Sequence, residues 1–359
     1  MLKQANPVKE IEQRAATLFE ELLGRVASLK LSSIKIDPHG HDSGIDILAR
    51  VKAGSGEYFL VGEVKKSGQP RFAREAINQL KAYLSRSKRD GIPVFIAPFL
   101  TTATQEMCRS EGVGYLDFEG NAFLSFGPVY IERSTGNKPE AKSREFRSLF
   151  KPRSAQVLRV LLRDPNRSWK ISELAQESGV SIGHVSNVRR ALADREWLDD
   201  QAPGIKLESS SSLLDAWRDS YQIPAASELK FYTPLHGSSW QRSLREYFNK
   251  ESNDQVALAS FSAAQWIAPY ARNATNFLYA DANAIPRLEP VLQLVKPAMG
   301  ENLIIWVPSD NGVFTDSAAF DEGIRCTSPL QTYLDLAKGG DRGFEAAEHL
   351  REAKLRWPK

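Results

Sequence analysis

The chain has 359 residues, a net charge of +3, and 42% hydrophobic and 25% charged residues. That length accommodates two or three domains, and the composition excludes a disordered or fibrous chain. Two cysteines far apart, Cys108 and Cys326, exclude a disulfide scaffold or a cysteine zinc site and fit a reducing cytoplasm. The N-terminal MLKQANPVKEIEQR lacks the apolar core of a signal peptide, and no run approaches the roughly 18 apolar residues of a membrane helix. The mildly basic balance permits nucleic-acid binding without demanding it.

Residues 7–26 are predicted to form an amphipathic helix, with Val8, Ile11, Ala15, Leu18 and Leu22 as its stripe and Glu12 on the border. A short strand follows at 32–36, then a polar loop holding His39 and His41, which are either solvated or in reach of a metal or phosphate. The stretch from Gly44 to Gln79 reads as a strand with Asp46 near its start, a turn at 53–56, a second strand ending in Glu63-Val64-Lys65, and a helix carrying AINQLKAYL. Residues two apart in a strand share a face, so Glu63 and Lys65 point together. If the two strands pair, Asp46 lies beside Glu63, and two carboxylates and a lysine meet at one sheet edge. Mg²⁺ favours such oxygens, and a lysine beside it can orient a water or hold a phosphate. The bland alternative is a surface ion pair at a strand end.

This pattern resembles the PD-(D/E)xK superfamily of restriction-endonuclease-like folds. Asp46 matches the single Asp, Glu63 and Lys65 match the (D/E)xK, and Gln79 with Tyr83 resembles the QxxxY element of the RecB-like branch; Ile45 stands where the proline of the motif is expected. The resemblance implies a catalytic set of Asp46, Glu63, Lys65 and Gln79. It also implies Mg²⁺ held by Asp46 and Glu63, with a first-helix glutamate, Glu12 (or Glu21), adding a ligand.

Lys66, Arg71 and Arg74 cluster about the start of the Gln79 helix, as an anion site or as a solvated basic face. A buried strand (IPVFIAPFL), a short helix and a hairpin or meander at 114–133 follow. Residues 134–153, rich in lysine and arginine, read as a basic linker that can brush DNA phosphates, with a domain boundary near 140–150.

Residues 154–207 read as a winged helix-turn-helix: SAQVLRVLLRD, then ISELAQESG with a turn at Gly179, then SIGHVSNVRRALADREWL and a wing at GIKLES. Ile171, Leu174, Ala175, Val185, Val188, Leu192 and Leu198 face the core. Ser181, His184, Ser186, Asn187, Arg189 and Arg190 are left outside it or on its flank, residue types that contact base edges and phosphates of double-stranded DNA. A winged helix used only for protein contact is the competing reading.

From about 213 the chain reads as mixed α/β, with strands at VALASF, NFLYAD and NLIIWVP, a final helix at GFEAAEHLREAKL, and five of the seven tryptophans. His236–Ser239 and Asp281–Asn283 faintly suggest nucleotidyltransferase elements, but a second carboxylate is missing. SPLQTYLDLAKGGDRGFEAAEHL resembles the C-terminal signature of AbiEi-family antitoxins of type IV toxin–antitoxin (abortive infection) systems, and GYLDFEGNAFLSFGPVYIER resembles proteins grouped with that family. That resemblance implies a DNA-binding autorepressor whose partner is a nucleotidyltransferase-like toxin.

The expected architecture is α/β (α+β): an endonuclease-like domain over 1–140, a winged helix over 150–210 and an antitoxin-like α/β domain over 213–359. The expected function is a cytoplasmic, DNA-binding transcriptional regulator or antitoxin. The alternative is a Mg²⁺-dependent DNA endonuclease targeted by its winged helix.

Overall fold

The structure, a computed structural model, describes residues 7–38, 45–87, 90–136, 139–251, 255–270, 273–296, 300–320 and 323–357. His39 and His41 lie outside the described residues. The chain divides into two compact units, Met1–Phe146 with Arg190–Glu196, and Arg147–Arg189 with Trp197–Lys359.

The first unit is built on a seven-stranded sheet whose strands lie side by side in chain order. Helix α1 (Pro7–Gly24) precedes β1 (Leu29–Ile36), β2 (Ile47–Ala53) and β3 (Gly56–Val64). These three pair antiparallel. Helix α2 (Pro70–Ser87) and helix α3 (Thr102–Ser110) are the crossovers that bring β4 (Gly91–Ala97) and β5 (Gly114–Asp117) parallel to β3. An antiparallel meander, β6 (Ala122–Phe126) and β7 (Val129–Arg133), closes the sheet. Alternation along β3 and β4 sorts the core. Leu60, Val94 and Ile96 pack with Ala15, Ala16, Phe19 and Leu23 of α1, and Val61, Phe95 and Ala97 pack with Ala73, Ala76, Ile77 and Leu80 of α2. The sheet is therefore covered on both faces. The buried stripe of α1 differs from the expected one: Phe19 and Leu23 are buried while Ile11 and Leu18 are only partly so, and Glu12 lies within the buried face. The "basic linker" contains a helix, α4 (Glu140–Ser148), with Glu140 pairing to Arg144 one turn on.

The second unit starts with α5 (Pro152–Arg163), α6 (Ile171–Ser178) and α7 (Ile182–Ala193), of which the last four residues group with the first unit. Two isolated bridges, Trp169 to Ile205 and Leu198 to Leu207, tie the chain on either side of α6 and α7 to a returning arm. Leu174, Ala175, Val185, Val188, Leu192 and Leu198 are all buried. Gly179 caps α6 with φ of 66° and its N–H on the Gln176 carbonyl. A Cβ there would meet nothing within 4 Å. Gly179→Ala is therefore expected to cost about 1 kcal/mol through backbone strain alone, as an unchanged denaturant slope with a lower midpoint in chemical unfolding.

Helix α8 (Ser210–Ser220) leads into a mixed sheet made of β8 (Ala225–Phe231), β9 (Val256–Leu258), β10 (Asn276–Ala280), β11 (Leu303–Pro308), β12 (Ala318–Phe320) and β13 (Ile324–Cys326). Their order is β12-β13-β9-β10-β11-β8. Around it lie α9 (Gly237–Lys250), α10 (Ser260–Ile267), α11 (Ile285–Val291), α12 (Pro329–Leu336) and α13 (Gly340–Lys354). Trp217, Tyr247, Tyr279 and Tyr333 are its largest fully buried side chains. The three-helix segment up to Arg189 and this sheet form one compact unit. The nucleotidyltransferase-like fragments have local structural roles: Ser239 Oγ accepts the His236 N–H at 3.1 Å at the start of α9, and Asp281 accepts the Asn283 N–H at 2.9 Å in a turn.

Candidate functional site

The sheet of the first unit brings the sequence-predicted acidic residues together. Asp46 immediately precedes β2, donates its N–H to the Gly62 carbonyl at 2.9 Å, and accepts the Val64 N–H on Oδ2 at 2.7 Å. This clamp pins the start of β2 beside the end of β3. Glu63 follows Gly62 and is 5% exposed. Lys65 Nζ donates to Glu63 Oε1 at 2.8 Å and to Gln79 Oε1 of α2 at 2.7 Å. Glu63, Lys65 and Gln79 thus form a continuous hydrogen-bonded chain from strand to helix.

The electrostatics are those of a crowded acidic site. Burial, then Asp46, push the Glu63 carboxyl up to about 7; Glu12 adds a smaller push and Lys65 opposes them. Glu12, buried on α1, is therefore close enough to be felt at Glu63, while Glu21 is exposed and pairs with Arg25. Glu63 Oε2 is buried with no hydrogen-bond partner among the described residues. A buried carboxylate oxygen left in this state is costly without a cation or proton. No group of three or more histidine, cysteine or acidic side chains among the described residues is arranged to hold a metal. Mg²⁺ does not require one, because it binds through one or two carboxylates and completes its shell with water and substrate phosphate. The donor set of Asp46 and Glu63, with the orphaned Oε2, fits that ion.

Because the Glu63 pKa is raised in the fold, its contribution to stability is complete below pH 4.5 and is lost as the pH rises to about 7. The loss is on the order of 3 kcal/mol. Glu63→Gln is expected to flatten the fall in stability between pH 5 and 8, measured by urea unfolding across that range.

The basic cluster near α2 differs from the expectation. Arg74 is held by Glu196 through two hydrogen bonds, at 2.6 and 2.8 Å, and Arg71 pairs with Glu75 at 3.5 Å. Arg74 is thus committed to a carboxylate, and Lys66 remains an exposed cation.

On α7 the six candidate residues separate into two groups. Ser181 Oγ accepts the His184 N–H, Ser186 Oγ bonds back to the Ile182 carbonyl, and half-buried His184 meets Ser154 Oγ at 3.1 Å. Those three cap, brace and pack the helix. Asn187, Arg189 and Arg190 are exposed. Ile182, which continues the apolar spacing of Val185, is 58% exposed. Periodicity alone assigns it to the core, so its exposure was not legible in the pattern.

Residues 206–356 match a family model described as a transcriptional regulator, the AbiEi antitoxin of type IV toxin–antitoxin systems. No curated protein matches the chain. Among solved structures, a repair endonuclease from Pyrococcus abyssi aligns with 18% identity over 32% of this chain and 49% of that one, with a TM-score of 0.23. The chain spans about half the length of that endonuclease, and a superposition of that quality carries no weight for the site. No described helix is long and apolar enough to cross a membrane.

Proposed function

We propose that the protein is a DNA-binding transcriptional regulator acting as the antitoxin of a type IV toxin–antitoxin pair. The observation that carries this reading is the family match over 206–356, joined in one compact unit to a three-helix segment whose last helix exposes Asn187 and Arg189. We read that segment as a winged helix-turn-helix, with the Trp169–Ile205 and Leu198–Leu207 bridges as its minimal wing sheet. Asn pairs bidentately with adenine and Arg with guanine in the major groove, and exposed Ile182 at the helix start suits a thymine methyl. Arg190 adds a further cation on the same helix. The partner is a toxin, proposed to be nucleotidyltransferase-like. Expressed with a nucleotidyltransferase-like toxin of a type IV pair, the full chain should relieve that toxin's growth arrest, and a chain lacking residues 206–356 should not.

A second reading is favoured by the Glu63–Lys65–Gln79 chain with Asp46 and Glu12 beside it. In it the first unit is a PD-(D/E)xK-like nuclease that cuts DNA. Mg²⁺, when bound, lowers the pKa of a water and neutralises phosphate charge. Asp46 and Glu63 hold their oxygens ready through the Val64 clamp and through Lys65. Lys65, fixed from two sides, is placed to orient a water or hold the scissile phosphate, and Gln79 keeps its ammonium from swinging away.

A further inference from the structure

The antitoxin-like signature SPLQTYLDL has a structural explanation in a buried polar network. Gln331 and Asp335 lie one turn apart on α12 and are 0% and 1% exposed. Gln331 Nε2 donates to Asp335 Oδ1 at 2.8 Å and to the Tyr221 hydroxyl at 2.7 Å. The Tyr221 and Tyr279 hydroxyls donate to the same Asp335 oxygen at 2.6 and 3.0 Å. On the other side, Gln331 Oε1 accepts from Arg159 Nη2 at 2.6 Å. Arg159 belongs to α5, the first helix of the three-helix segment, and its guanidinium lies 5.4 Å from the Trp217 ring centre. Burial pulls the arginine below its ordinary pKa and pushes the Asp335 carboxyl up to about 7, while Arg159 and Asp335 each favour the other's charged form.

This arrangement is more specific than packing requires. Gln331 is the single side chain that links Arg159 to the Asp335–Tyr221–Tyr279 cluster by hydrogen bonds among the described residues. Arg159 Nε and Nη1 and Asp335 Oδ2 are buried without partners among the described residues. A hydrocarbon core of the same volume is often as stable as a buried charged network, or more so. What such a network supplies instead is one allowed orientation of the elements it joins. At its margin, Gln156 Oε1 of α5 accepts the Thr315 hydroxyl at 3.1 Å and Arg163 pairs with Asp316 at 2.8 Å. These are less buried contacts between the same helix and the end of the α/β sheet.

We propose that Gln331 and Asp335 form a buried latch that grips Arg159 and so holds the three-helix segment in one orientation on the antitoxin-like sheet. A partner that shifts α12 would then shift the exposed face of α7, and a DNA site that fixes α7 would stabilise α12. The consequence for DNA rests on the DNA-binding reading above; the consequence for local opening does not.

Arg159→Met and Gln331→Leu, singly and together, keep volume and remove the latch. Hydrogen exchange on the full chain is the first readout. Amides of α5 to α7 should exchange about tenfold faster in each variant, with β9 to β11 unchanged. The double variant should open no further than either single, because both break one connection. The second readout is affinity for a duplex from the region upstream of the chain's own gene, expected to fall in each single variant and no further in the double. Unchanged exchange in both single variants, or additive effects in the double, overturns the latch. If the wild-type chain binds no DNA, the DNA-binding reading fails while exchange still decides the latch. Tyr333→Phe, which removes a buried hydroxyl of α12 that bonds Arg218 and Glu348 and no latch residue, controls for global loosening: a fully latch-free exchange pattern in that variant also overturns it.

Discussion

Alanine at Asn187 and alanine at Arg190 should each weaken specific DNA binding by roughly 1–3 kcal/mol, or about 5- to 150-fold. Both side chains are exposed on α7, and the residues that hold that helix, Val185, Val188 and Leu192, are buried and untouched by the changes. The fold should therefore survive, and circular dichroism with thermal unfolding checks that it does. Discrimination between cognate and scrambled duplex should shrink along with affinity, because base contacts carry sequence information and phosphate contacts do not. Arg153→Ala, at the exposed start of α5, should instead lower affinity for both duplexes alike and reduce the salt slope by about one. Ser186→Ala should do little, since its hydroxyl bonds back to the Ile182 carbonyl.

Lys65→Ala should reduce Mg²⁺-dependent cleavage of plasmid or branched DNA by about 100-fold or more, the loss seen when one positioned charge-stabilising group is removed. The geometry behind this is the pair of hydrogen bonds that fix Nζ between Glu63 and Gln79. Gln79→Ala should give a smaller loss, because Glu63 still holds the amine. A second readout does not depend on turnover. Mg²⁺ or Mn²⁺ should raise the melting temperature of the wild-type chain and release protons near pH 7, where Glu63 is partly protonated. Glu63→Gln should abolish both effects. A wild-type chain that cuts none of these substrates with either metal removes the nuclease reading.

The acidic site was legible because strand alternation is a strong local rule: two residues apart means one face, and Glu63 and Lys65 obey it. Glu12 was legible for the right face and with the wrong neighbours, since the buried stripe of α1 runs through Phe19 and Leu23. The clamp of Asp46 on the Val64 N–H was not legible, because a side chain that bonds a backbone 18 residues away leaves no mark on periodicity. The strand at Ala225–Phe231 was missed because its burial is confined largely to its last residue, so it lacks the apolar run of a central strand. Arg159 was the least legible of all. It sits in the apolar run RVLLR, where an arginine ordinarily marks the solvent side, and its partner lies 172 residues on. The clue lay in Gln331 and Asp335, polar residues at helical spacing inside an apolar segment.

DNA binding is tested by titrating the full chain against a labelled duplex from the region upstream of its own gene, followed by fluorescence anisotropy from about 50 to 200 mM salt. A DNA-binding regulator should bind that duplex saturably and in preference to a scrambled one, with affinity falling steeply as salt rises and preference lost in the Asn187→Ala, Arg190→Ala double variant. Equal binding to both duplexes, or no binding at the lowest salt, contradicts that reading.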